Sequence, residues 1–411
     1  MLPAQAALLI FIFLLAGDYF MLFFTGKDPA ARRMLSARMS NGDKNDIQLF
    51  IKNNYPYTMQ VNVIDELPVQ LQERNFSLQK KMKSRQQLLL QYGITPAERG
   101  AYMFGNIILF FSGWPALLQR RFSIAAAQTV LVYPSFMQMR KYQLVSRTTL
   151  TDGQGNQRMR KIGHSIEFEQ IKDYVTGDDI RSINWKATAR RGGLLMVNNY
   201  VDEKSQQVYC IIDKGRLMKM PFNGMSLLDY AINATLALSN VCLQKQDKVG
   251  LISFSGKINT LLPADGKPVQ RNNIMQALYK EQTSFQESDF ELLYMEIRHK
   301  IKQRSLLVLY TNFESVSGLK RQVNYLRSIA RHHLLMLVFF ENTELNKLAH
   351  ADAYSVEDVY VKTVAEKFMY EKKLVVKELQ KYGILTVLTT PENLTINSIN
   401  KYLQLKARQA V

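Results

Sequence analysis

Residues 173–195 read DYVTGDDIRSINWKATARRGGLL, gathering two adjacent acids (Asp178, Asp179), Trp185, Lys186 and three arginines (Arg181, Arg190, Arg191) in one short run. Paired carboxylates suggest general acid–base chemistry, but that requires both to converge on one substrate, and consecutive positions on a helix point to different sides. No histidine lies beside them, no Ser or Cys has a local base, and a GxxxxGK[ST] phosphate loop occurs nowhere in the chain. The segment therefore predicts neither an enzyme nor a cofactor.

The same residues make better sense as structure. Gly177 ends a turn, Asp178 is a good N-cap, and Asp179 in the first turn suits the helix dipole. Ile180, Ile183 and Ala187 form an apolar stripe at i, i+3 and i+7. Arg190 and Arg191 occupy the last turn, and Gly192-Gly193 supplies the stop. Arg181, Asn184, Lys186 and Thr188 are left to other surroundings, and Trp185 beside the stripe is the natural aromatic anchor. Two compatible roles follow: a clasp between domains with Trp185 buried over Asp–Arg pairs, or a docking surface for a partner. A ligand site is the third.

The chain that must position these residues has 411 of them, enough for two or three domains. Apolar residues make up 47%, which marks a folding sequence and not a disordered one. The net charge of +18 asks for an anionic neighbour. No zinc-finger, RNP-like or helix-turn-helix pattern accompanies the basic runs, so no nucleic acid is expected. Cys210 and Cys242 form no CxxC pair, and the five histidines lack metal-ligand spacing.

Residues 2–24 contain a single charge, Asp18, and as a helix would extend about 34 Å, enough to cross a bilayer. Lys27, Arg32 and Arg33 follow, which predicts everything downstream to be cytoplasmic. The lipid membrane is then a partner, and its anionic inner leaflet accounts for the positive charge. Short alternating apolar runs from about Leu35 to Tyr133 predict an antiparallel β-sandwich. The uncharged stretch 101–118 is broken by Gly105-Asn106 and Ser112-Gly113, so it too reads as strands. After Val208 strands alternate with helices, the grammar of a parallel sheet covered on both faces. The expected organisation is a transmembrane segment (1–26), a β-sandwich (27–134), a linker carrying the signature (135–207) and an α/β domain (208–411).

The segment EFEQIKDYVTGDDIRSINWKATARRGGLLMVNNYVDE, running into VYCIID, resembles the signature of a bacterial family known as domain of unknown function 58. RGAYMFGNIILF and TVLVYPSF are similar to that family's pattern as well. The resemblance covers nearly the whole chain. Family members typically carry two membrane helices as a hairpin, and residues 2–24 look like the second. The resemblance implies a fold class of membrane segment plus all-β sandwich plus doubly wound α/β domain of the von Willebrand factor A-like, Rossmann type. It also implies a MoxR-type AAA+ ATPase as partner and no established enzymatic activity.

A von Willebrand A-like domain implies a metal ion adhesion site, whose loop reads Asp-x-Ser-x-Ser. Here the loop is Asp213-Lys214-Gly215-Arg216-Leu217, without either hydroxyl, and a later strand is followed by Asn312 instead of Asp. Magnesium demands a nearly complete set of oxygen ligands. The site reads as degenerate, with no metal bound and Asp213 capping its own loop or pairing with Lys214 or Arg216. The expectation is a single-pass, cytoplasmically oriented scaffold or adaptor in the bacterial inner membrane, serving assembly of envelope or other protein complexes. The alternative is a metal-dependent ligand binder or hydrolase using the Asp213 edge.

Overall fold

A computed structural model describes residues 2–25, 28–73, 75–135, 167–175, 180–192, 194–201, 205–352 and 354–408. Strict alternation of buried and exposed positions in Asn45–Lys52 and Met59–Asp65 builds the first domain. Asn45–Lys52 lies between Ala30–Met34 and Gln87–Ile94 in an antiparallel sheet. Met59–Asp65 and Ile107–Ser112 form the centre of a four-stranded sheet. The two sheets face each other through Leu49, Ile51, Val61, Val63, Leu109 and Phe111, all essentially excluded from solvent. A third sheet, with Gln128–Tyr133 between Arg38–Ser40 and Gly100–Phe104, adds a satellite core around Tyr102, Phe104 and Val130. The stretch 101–118 thus contributes strands, turning at Gly105-Asn106 where the Glu66 carboxylate accepts from the Asn106 N–H at 2.7 Å.

The first helix, Leu2–Phe23, overturns the membrane expectation. Among the described residues no helix is long and apolar enough to cross a membrane. The reason lies in its last turns, which belong to the sandwich. Leu22 is buried, and its carbonyl accepts from the Tyr55 hydroxyl and the Arg120 guanidinium, each at 2.8 Å. Asp18, also buried, accepts from the Leu118 N–H at 2.9 Å. Ahead of Asp18 only about 24 Å of helix remains, short of a hydrocarbon core of about 30 Å. The expected fold class is corrected at this element. The single-pass placement in a bacterial inner membrane falls with it.

In the second domain the apolar run VYCIID becomes Gln207–Asp213, buried on both faces at the middle of a six-stranded sheet. The strand order is Ile258–Asp265, Lys248–Phe254, Gln207–Asp213, Leu306–Tyr310, Leu334–Phe340, Leu385–Thr389. All neighbours are parallel except the antiparallel edge strand Ile258–Asp265. Cys210 and Ile212 face a core made with helices Leu227–Gln244, Val269–Lys280 and Leu394–Ala407. Tyr209 and Ile211 face the opposite core, under Phe290–Lys300, Val316–His332 and Val356–Lys381. Helix Leu227–Gln244 starts with a capping box, Ser226 Oγ accepting from the Asp229 N–H at 3.2 Å.

Candidate functional site

The signature forms a small unit of its own. Strand Glu167–Asp173 pairs antiparallel with Met196–Val201, and the connection carries a turn of 3₁₀ helix, Ile180–Ser182, then helix Trp185–Arg190. Asn184 is the actual N-cap: its side chain accepts from the Ala187 N–H at 3.0 Å and donates to the Asn198 side-chain oxygen (Oδ1) at 2.8 Å. Thr188 is the buried pivot. Its hydroxyl donates to the Asn184 carbonyl at 2.9 Å and accepts from the Met196 N–H at 3.0 Å, pinning the helix to the strand.

The expected buried stripe is not there. Ile180 is 68% exposed and Trp185 is 69% exposed, so neither anchors a core. The helix has only six residues, and the i, i+3, i+7 pattern straddles the 3₁₀ turn, where the period is no longer 3.6. Val175 and Leu194 of the same unit are exposed too, and so are Arg181, Lys186 and Arg190. Arg191 pairs with Asp173 at 2.8 Å in solvent. Asp178 and Asp179 lie outside the described residues. The clasp reading of Trp185 is thereby corrected.

The domains are joined at Arg99, the first residue of RGAYMFGNIILF. The Arg99 guanidinium leaves the sandwich and meets the Asp229 carboxylate at 2.8 Å, with both side chains buried. It also donates to the carbonyls of Leu278 at 2.5 Å and Glu281 at 2.8 Å, at the C-terminal end of helix Val269–Lys280, where a cation suits the dipole. The Asn41 amide adds a contact to Asp229, and the Ser135 N–H donates to the Asn233 side chain at 2.8 Å. The Tyr133 and Tyr279 rings lie 4.8 Å apart across the same joint.

At the carboxyl edge of the sheet the chain enters at Gln207–Asp213, winds to Lys248–Phe254 on one side, then returns to Leu306–Tyr310 on the other. That reversal places Asp213 and Thr311 at the switch point, where such sheets bind ligands. Asp213 is buried and accepts from Thr311 Oγ1 at 2.6 Å, the Gly215 N–H at 2.8 Å and the Ser288 hydroxyl. Burial pushes its carboxyl above the usual carboxylate range, and these hydrogen bonds oppose the rise. Neither Lys214 nor Arg216 pairs with it. Lys214 is buried against Glu281 at 2.5 Å, and Arg216 meets Glu287 at 3.0 Å in solvent. The hydroxyls absent from the loop thus arrive from other segments, a convergence that no linear spacing reveals.

Asn312 is committed as well, its side-chain oxygen accepting from Lys372 Nζ at 2.6 Å. Lys372 also donates to the Phe340 carbonyl at 2.6 Å, and burial pushes its amine down to about 8, against the pull of Glu314 and Glu341. It lines a cavity of about 440 Å³ walled by Met220, Phe222, Leu345, Phe368 and Leu388. The donor set does not fit a divalent cation. One carboxylate with both oxygens engaged, and an amide holding an ammonium, supply too few free oxygens for magnesium. Among the described residues no group of three His, Cys, Asp or Glu could hold a metal ion.

Residues 170–370 match the family described as "Protein of unknown function DUF58". The chain is similar to "Uncharacterized protein YeaD" of Bacillus subtilis (strain 168), 21% identical over 240 residues, covering 57% of this chain and 57% of that relative. Among solved structures, the conserved hypothetical protein BatB from Bacteroides thetaiotaomicron covers 50% of this chain and 99% of its own, at 14% identity and a TM-score of 0.32. The CARDB domain of the PF1109 protein from Pyrococcus furiosus covers 26% of this chain and 96% of its own, at 13% identity and a TM-score of 0.20. At those scores neither structure bears on what the chain does.

Proposed function

We propose that this chain, matching the DUF58 family over residues 170–370, is a non-enzymatic scaffold whose signature unit docks a partner protein. The observation that carries the reading is the exposure of Trp185, at 69%, on a unit that also exposes Ile180, Val175 and Leu194. Large apolar side chains exposed on one small unit suit an interaction site, and Trp with neighbouring Arg is the composition of a binding hot spot. The family resemblance makes a MoxR-type AAA+ ATPase the partner to test, in assembly or maturation of envelope or other protein complexes. The α/β domain, in the von Willebrand factor A-like reading, is the frame on which the unit is mounted. Capture of the purified full chain by an immobilised MoxR-type ATPase, with Trp185→Ala beside it, is the experiment. Equal capture of both proteins would defeat the proposal.

The second reading, a metal-dependent binder or hydrolase at Asp213, has one observation in its favour. Thr311 and Ser288 bring to the carboxylate the two hydroxyls that its own loop lacks. The same hydrogen bonds, and the ammonium of Lys372 on Asn312, occupy the oxygens a cation would need.

A further inference from the structure

At the opposite, amino edge of the sheet, a cavity of about 280 Å³ opens between the ends of helices Phe290–Lys300 and Val316–His332. Its floor is apolar and buried, made by Ile297, Ile301 and Ile329. Around it stand Arg298, Lys302, Arg304, His332 and His333, and no carboxylate lines it. None of these five side chains forms an ion pair among the described residues. Arg298 donates only to the Tyr294 hydroxyl at 3.2 Å, and Lys302 only to the Arg298 carbonyl at 3.3 Å.

A cation in the last turn of a helix is ordinary, since it offsets the dipole. That accounts for Arg298 and His332 separately. It does not account for Lys302 and Arg304, which lie beyond the helix, or for His333, which is 6% exposed on the wall. His333 Nδ1 is buried with no hydrogen-bond partner. Burial, then His332 and Arg304, push its ring below the usual histidine range. Like charges converging on one cavity repel one another unless an anion sits between them.

We propose that this cavity binds a small phosphate-bearing ligand. The two guanidiniums offer forked donors that match phosphate oxygens in pairs, and Lys302 adds a mobile ammonium. The apolar floor and the modest volume suit a mono- or diphosphate with a small organic group and exclude a folded chain. The His332 ring, its Nδ1 3.1 Å from the Ser328 carbonyl, stands at the rim with its other nitrogen available.

The probe is inorganic pyrophosphate, titrated calorimetrically into the full chain at about 50 mM salt, where surface charge is weakly screened. Saturable binding is expected. The exposed double variant Arg298→Gln/Arg304→Gln should weaken it by about tenfold or more, while Arg271→Gln, on a helix across the sheet, should leave it unchanged. Circular dichroism checks that both variants fold. The absence of saturable binding into the millimolar range would overturn the proposal. So would equal affinity of the double variant and the parent chain. Equal weakening by Arg271→Gln would show diffuse attraction to the +18 charge in place of a site, and would overturn it too.

Discussion

Arg99 of the sandwich and Asp229 of the α/β domain meet at 2.8 Å, Nε to Oδ1, with side chains only 7% and 9% exposed. This pair joins the domains. Removing one member leaves an uncompensated buried charge, so Arg99→Ala is expected to cost about 3–5 kcal/mol. Urea unfolding should also lose its single transition as the domains uncouple. Unchanged unfolding would assign the joint to the Tyr133–Tyr279 and Ser135–Asn233 contacts instead.

Lys372 makes stability depend on alkaline pH. Its amine gives up a proton near 8 in the folded chain because burial disfavours the ammonium, whereas an unfolded lysine keeps it to about 10.4. Between those values the unfolded state binds more protons, so stability rises with pH by an amount on the order of 3 kcal/mol. Unfolding at pH 7.5 and 9.5 should show about 2 kcal/mol of this gain for the parent chain and little of it for Lys372→Met. Identical pH slopes in the two proteins would contradict the assignment.

Asp213 should take no divalent cation. Its oxygens already accept from Thr311, Gly215 and Ser288. Titration with Mg²⁺ or Mn²⁺ should give no saturable heat. Micromolar binding that disappears in Asp213→Ala would show that the hydroxyls of Ser288 and Thr311 recruit a metal rather than replace it.

What the sequence disclosed and what it withheld divide along physical lines. Local rules sufficed where they act alone: VYCIID is the central strand, and beyond Val208 strands alternate with helices in a mostly parallel sheet. The long helix Val356–Lys381 opens with a second capping box, formed by Ser355 and Asp358. Edge strand Ile258–Asp265 carries a weak sequence signal because it is half-exposed, contains Pro263 and lacks a clean alternation. The apolar helix Leu2–Phe23 has the composition of a membrane span, but hydropathy cannot show that Asp18 and Leu22 are claimed by the sandwich. Site geometry was the least legible part. Ser288 and Thr311 reach Asp213 from 75 and 98 residues away, and Arg99 reaches Asp229 across 130. Trp185 misled because a tryptophan beside an apolar stripe usually packs inward, and here the stripe is interrupted by the 3₁₀ turn.

The exposed face of the signature unit is the centre of the account, and Trp185→Ala tests it most directly. Thermal unfolding and capture by a MoxR-type ATPase are measured on the same preparation at matched folded concentration. A side chain 69% exposed contributes little to folding, so stability should stay within about 0.5 kcal/mol of the parent chain. Capture should fall sharply, with smaller losses for Lys186→Ala and Arg190→Ala. A Trp185→Ala protein that melts normally and is captured as well as the parent chain would contradict the docking role. One that loses several kcal/mol of stability would return this residue to the core.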